Sequence, residues 1–232
     1  STCKVCPAGF FCDGEGTTDP SECPNGHFCL AGTSVATQYP CANGTFNSRT
    51  MLMDASECQP CLPGMFCDRP GLMQPTGECD AGYYCGRGSA TATPDRDNAY
   101  GGESCVDATN ASTNGLCPPG HYCPVGSGAP TRCPIGTFTA SSGLSNVTEC
   151  KDCTAGYICD KEAITEATTL CPERFYCPTG TASATLLCTT GHYCEAKSTS
   201  PVACAAGTYQ NETGQSTCKV CPAGFFCDGE GT

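Results

Sequence analysis

Cysteine is the residue whose type and spacing could do chemistry in this chain, with 26 copies among 232 residues. Four pairs, Cys3/Cys6, Cys58/Cys61, Cys150/Cys153 and Cys218/Cys221, have the two-residue gap of a zinc knuckle. Thiols at this density either hold metal or oxidise in pairs to a disulfide scaffold. The scaffold is the better reading. All four pairs occupy one repeat position, most other cysteines have no such near partner, and the histidines are not spaced as ligands. Thiols of this number would stay reduced in cytosol, so the chain is expected to be secreted or displayed at the cell surface.

Other reactive residues point to no catalyst. His27, His121 and His192 share one repeat slot, each between a glycine and an aromatic residue. Elsewhere that slot holds Phe10, Met65, Tyr83, Tyr157 or Phe175, so it asks for bulk or flatness, and packing is the expected use. The 23 acidic residues show no paired spacing of a general acid and base. No D-x-D-x-D-G calcium loop, glycine-rich phosphate loop or G-x-S-x-G turn is present. The expectation is no enzyme, no catalytic residue, no metal and no cofactor. Net charge is -12 and the 11 basic residues never cluster, which argues against nucleic acid or an anionic membrane as partner. No run approaches the ~20 apolar residues of a membrane span, and no signal peptide heads the sequence.

Covalent modification is the remaining chemistry. Sequons stand at Asn43, Asn110, Asn146 and Asn211, three of them in equivalent loops, and mark N-glycan sites on exposed turns. Ser/Thr-rich loops at 33–37, 89–93, 127–131 and 181–185 are candidates for O-glycans. Attached glycans are therefore expected, and they would keep the chain soluble.

The element that positions the cysteines is a turn such as Cys6-Pro7-Ala8-Gly9-Phe10-Phe11-Cys12. It closes at Cys12, Cys29, Cys67, Cys85, Cys123, Cys159, Cys177, Cys194 and Cys227, with an aromatic before each closing cysteine except at Ile158. Pro or Gly sets the turn and the ring covers the sulfurs. Other apolar residues are too scarce for a continuous core, so stability must come from bridges of about 2–4 kcal/mol each. The predicted fold class is small disulfide-rich modules of short β-hairpins and turns with almost no helix, tandemly stacked into an elongated rod. Gly44-Thr45-Phe46 and Gly136-Thr137-Phe138 are expected to start strands, and residues 160–167 are the place for any helical turn.

Residues 1–17, STCKVCPAGFFCDGEGT, recur unchanged as 216–232. The offset of 215 residues implies a tandem array, or a sequence assembled from a repeating object. Smaller units open at Cys41, Cys133 and Cys204. They run 41–132 (enlarged), 133–203, and 204–232, whose type is continued by 1–40.

CPIGTFTASSGLSNVTECKDCTAGYIC and CAAGTYQNETGQSTCKVCPAGFFC resemble ephrin-receptor-like cysteine-rich repeats of large extracellular proteins, many from single-celled eukaryotes. More distantly, they resemble the modules of tumour-necrosis-factor receptors. The resemblance implies bridges Cys41–Cys58, Cys133–Cys150 and Cys204–Cys218. It then implies interleaved pairs Cys61–Cys79, Cys67–Cys85, Cys153–Cys171, Cys159–Cys177, Cys6–Cys23 and Cys12–Cys29. Cys188 and Cys194 would pair with each other. Cys105, Cys117 and Cys123 are left over, and an odd number requires either an inter-chain or inter-period bridge from the 105–123 region or a buried free thiol. The functional expectation is a glycosylated structural subunit of a fibre, surface filament or flagellar hair, with other copies of itself as partners. A receptor or adhesin stalk gripping a protein or glycan is the alternative.

Overall fold

The computed structural model describes residues 3–94, 114–229 and 231. The small disulfide-rich modules expected from the sequence are present. Nine two-stranded antiparallel sheets account for all the strands among these residues, each strand two residues long. Helix is confined to single 3-10 turns at Ala55–Glu57 and Val147–Glu149. Residues 160–167 hold no helix, contrary to expectation. Ala163 sits there at φ 57, a turn conformation incompatible with a right-handed helix.

One register rule generates every hairpin. The first strand is the two residues that follow the turn's positive-φ residue, the second of them aromatic except at Ile158, and the second strand is the two residues before the next turn's opening cysteine. Thus Phe10–Phe11 pairs with Ser21–Glu22 ahead of Cys23. Thr45–Phe46 pairs with Gln59–Pro60 ahead of Cys61, and Thr137–Phe138 with Lys151–Asp152 ahead of Cys153. Isolated bridges His27 to Pro40 and Phe175 to Leu187 follow the same rule where the ladder is too short to count as strand. The two residues inside Cys58/Cys61, Cys150/Cys153 and Cys218/Cys221 are therefore strands of hairpins, which explains that spacing without any metal.

Hairpins this short are not stable alone. Each is tied to its neighbour by main-chain bonds that recur at every step. Gly9 N–H donates to the Cys29 carbonyl at 2.8 Å and Cys23 N–H to the Gly9 carbonyl at 2.9 Å. Gly64 with Cys85 and Cys79, and Gly156 with Cys177 and Cys171, repeat the same two bonds.

Two compact units contain these steps. One comprises Ser1–Cys117, Cys123–Pro130 and Gly143–Asn146, and the other Pro118–Tyr122, Thr131–Ser142 and Val147–Thr232. The first holds Cys6–Cys12, Cys23–Cys29, Cys41–Cys58, Cys61–Cys67, Cys79–Cys85 and Cys117–Cys123. The second holds Cys133–Cys150, Cys153–Cys159, Cys171–Cys177, Cys188–Cys194, Cys204–Cys218 and Cys221–Cys227. The interior is mostly sulfur: cysteines dominate the buried side chains, joined by small apolar groups such as Phe46 with Leu72 and Met65.

Candidate functional site

The repeating site is the bridged turn, and its geometry follows from two residues. The carbonyl three places before the first strand accepts from that strand's N–H, as from Phe10 to Pro7 at 3.2 Å and Tyr83 to Asp80 at 3.1 Å. The residue between is a glycine at positive φ, for example Gly9 at 83° and Gly82 at 84°, the third position of a type II turn. That turn folds seven residues back on themselves and brings the flanking cysteines to Cα separations of 5.7–6.0 Å, within disulfide reach.

This corrects six of the expected pairings. Cys61–Cys79 and Cys67–Cys85 are replaced by Cys61–Cys67 and Cys79–Cys85. Cys153–Cys171 and Cys159–Cys177 give way to Cys153–Cys159 and Cys171–Cys177. Cys6–Cys23 and Cys12–Cys29 give way to Cys6–Cys12 and Cys23–Cys29. The physical reason is the glycine turn: it places position seven against position one before any neighbouring turn can compete. Cys41–Cys58, Cys133–Cys150, Cys188–Cys194 and Cys204–Cys218 form as expected. Cys117 and Cys123 are bonded to each other and are not left over. Cys105 lies outside the described residues, and Cys3 is the free, exposed cysteine among them.

Three further turns keep the glycine but lack the closing cysteine. Gly44, Gly136 and Gly207 have φ of 78°, 81° and 85°, and the seventh residues are Asn47, Thr139 and Gln210. These are polar yet only 0%, 1% and 3% exposed. Each side-chain oxygen accepts a main-chain N–H two residues on: Arg49 to Asn47 at 3.2 Å, Ser141 to Thr139 at 3.2 Å, Glu212 to Gln210 at 3.1 Å. The amide groups also donate, from Asn47 to the Arg49 carbonyl at 2.6 Å and from Gln210 to the Thr217 carbonyl at 2.8 Å. The opening cysteine, deprived of its near partner, bonds instead to Cys58, Cys150 or Cys218. Sequence reasoning saw the openings but missed that these polar residues fill the closing slot; their constant distance of six from a cysteine was the available signal.

The histidines are held alike. Nδ1 of His27, His121 and His192 lies 3.1, 3.0 and 3.0 Å from the carbonyls of Asn25, Pro119 and Thr190. A local bond of this kind fixes the ring against its own turn. No group of three or more metal-binding side chains occurs among the described residues. The two cysteines of each Cys-x-x-Cys that the structure bonds go to different partners, as Cys58 to Cys41 and Cys61 to Cys67.

Sequon residues Asn43, Asn146 and Asn211 are exposed, and Asn110 lies outside the described residues. In the Ser/Thr-rich loops, Thr33 and Ser89 are buried. The Thr33 hydroxyl donates to the Leu30 carbonyl at 2.7 Å and that of Ser89 to the Thr91 carbonyl at 3.0 Å, so these two serve the backbone. No helix of the described residues is long and apolar enough to cross a membrane.

Twelve disulfides among the described residues, nine of them closing the same seven-residue turn, with almost no other interior, define a cysteine-rich tandem-module protein. Such bridges are those of an extracellular or cell-surface chain. Residues 191–232 match the family model described as tyrosine-protein kinase ephrin type A/B receptor-like, so this stretch of the chain is similar to that family's cysteine-rich repeats. No curated protein matches the chain.

Proposed function

We propose that the chain is a glycosylated structural subunit of an extracellular fibre, surface filament or flagellar hair, with other copies of itself as partners and no catalytic role. The observation that carries this is the recurrence of STCKVCPAGFFCDGEGT at 1–17 and 216–232. A ligand-binding stalk gains little from such identity at long range. A linear assembly gains equivalent contacts at every step. The uniform ladder supports the same reading, because one rule for joining neighbouring turns can be extended without a special cap. Asn43, Asn146 and Asn211 are the positions at which N-glycans would coat the surface.

Electron microscopy of the native material tests it. Linear or helical order with an axial repeat set by the 215-residue period is the expected image; discrete single molecules would overturn it. Treatment with an N-glycosidase should lower the mass, and an unchanged mass would remove the glycans from the reading.

A further inference from the structure

The sequon at Asn43 is built into a turn that later residues clamp. Asn43 is exposed, yet the two residues after it are engaged. Gly44 is buried at φ 78; its N–H donates to the Cys67 carbonyl at 2.8 Å, and its carbonyl accepts from Cys61 N–H at 2.8 Å. The Thr45 hydroxyl donates to the Ala42 carbonyl at 2.6 Å, closing the turn across Asn43, and Thr45–Phe46 pairs with Gln59–Pro60. The same clamp recurs where the sequence has no asparagine. Gly136 is held by Cys159 and Cys153, and Thr137 by Pro134. Gly207 is held by Cys227 and Cys221, and Thr208 by Ala205. Asn43 therefore stands in a slot that the ladder itself uses.

Asn211 is placed differently. It follows the buried Gln210 in a loop outside every strand, and Glu212 and Thr213 are exposed with it. Side chains hold this loop: Asn211 Oδ1 accepts from Lys219 Nζ at 2.9 Å, and Lys219 pairs with Glu212 at 3.3 Å. Both bonds lie at the surface, where water replaces them at little cost. The equivalent positions of the other two units, Ser48 and Ala140, are exposed as well, so an open loop is the rule there.

N-glycosylation asks more of an acceptor than exposure of the asparagine. Nδ2 attacks C1 of an oligosaccharide carried on a polyprenyl diphosphate. The C–N bond forms as the C1–O bond breaks, the polyprenyl diphosphate leaves, and the Nδ2 proton passes to a base of the transferase. The hydroxyl two residues on is what the transferase reads, so the three residues must enter its cleft as released chain.

We propose that the bridged turn Cys61–Cys67 closes Asn43 to glycosylation, so that transfer there must precede folding, whereas Asn211 remains an acceptor in the folded chain. The two sequons then hold different places in maturation. Occupancy at Asn43 is decided by a race between the transferase and closure of the downstream turn that supplies Cys61 N–H and the Cys67 carbonyl. Asn211 runs no such race. This ordering rests on the reading of the chain as a glycoprotein and deepens it, because the glycan at Asn43 records how fast one named bridge closed.

Unaltered full chain, made while synthesis of the lipid-linked oligosaccharide is blocked, tests it. The oxidised chain and the same chain reduced and alkylated are each given an oligosaccharyltransferase with its polyprenyl-diphosphate-linked oligosaccharide, and peptide mass spectrometry follows each site. Relative to the reduced chain, transfer to Asn43 in the oxidised chain should fall by at least about tenfold, the cost of opening the clamp locally, while Asn211 should stay within about threefold. Equal relative rates at the two sites, or faster transfer at Asn43, would overturn the ordering. Secreting cells give a second reading that needs no isolated unglycosylated chain. With transferase activity lowered until neither site is full, dithiothreitol during synthesis should raise occupancy of Asn43 relative to Asn211, and an unchanged ratio would overturn the ordering. Glycans on native material together with equal transfer to both sites would refute the ordering and leave the glycoprotein reading standing. Native material bare at every sequon, with Asn43 still closed by oxidation in vitro, would do the reverse.

Discussion

Nε of Arg174 donates to the carbonyl oxygen of Gly214 at 2.7 Å across 40 residues of sequence. Arg174 stands where every other turn has glycine, at φ 77. A side chain in this region costs about 1–2 kcal/mol, and a hydrogen bond from a charged donor returns about 1–3 kcal/mol. Arg174→Gly trades one for the other and should shift the urea midpoint, with disulfides intact, by less than about 1 kcal/mol equivalent. Arg174→Ala keeps the strained backbone, loses the bond and should fall by about 1–2 kcal/mol. Equal losses in the two variants would show that the bond, not the backbone, governs the site.

Gly26→Ala and Gly14→Ala contrast a crowded left-handed position with an open one. Gly26 has φ 75, and a Cβ there would run into the carbonyl of Gly71, whereas one at Gly14 would meet nothing within 4 Å. The first change should cost about 2–4 kcal/mol, combining left-handed strain with a backbone clash. The second should stay within about 0.5 kcal/mol. Denaturant midpoints and secreted yield check both, and a harmless Gly26→Ala would mean the neighbouring turns are not packed as described.

Bridge connectivity is open to a single digest. Cleavage before Asp54 and Asp68 without reduction should give a peptide closed by Cys61–Cys67, tied through Cys58 to the peptide that carries Cys41 and unattached to the one that carries Cys79. Cleavage before Asp160 should do likewise for Cys153–Cys159 and Cys171. Mass spectrometry that finds Cys61 linked to Cys79 would restore the interleaved arrangement.

The 3-10 turn Ala55–Glu57 should loosen in acid. Asp54 caps it by accepting from Ser56 N–H at 2.8 Å, and hydrogen bonds from the Ser56 main chain and side chain hold its carboxyl below the ordinary value. A carboxyl lowered in the fold contributes above its ordinary pKa and ceases to contribute as pH falls through the lowered one. The Ser56 amide should therefore shift in NMR spectra only below the usual aspartate range, and Asp54→Asn should flatten that response. A midpoint at the ordinary aspartate value would dispose of the cap.

Much of this was readable from residues. The turn glycines, the aromatic pairs and the absence of an apolar core follow from local spacing, and so do the strands that begin at Thr45 and Thr137. Connectivity was harder, because Cys61 has both Cys67 and Cys79 within a short reach of sequence. Only the left-handed turn at Gly64, φ 82, decides between them, and it does so through space. Asn47, Thr139 and Gln210 were invisible for a related reason: their role depends on burial, and nothing in their types demands it. Tyr39 stood apart from the aromatic pattern in the sequence, yet its ring stacks on Phe28 with centroids 5.5 Å apart.

Because most bridges join cysteines six positions apart, long runs of chain such as 13–22 fall inside no covalent loop. Under tension these runs can lengthen by unzipping two-residue ladders, each residue extending the path by up to ~3.5 Å, while the sulfur knots stay shut. Interleaved bonding would have locked that slack away. Under load, a chain stapled in this way would lengthen and recoil through its hydrogen bonds, with its knots fixing where each re-formed hairpin begins.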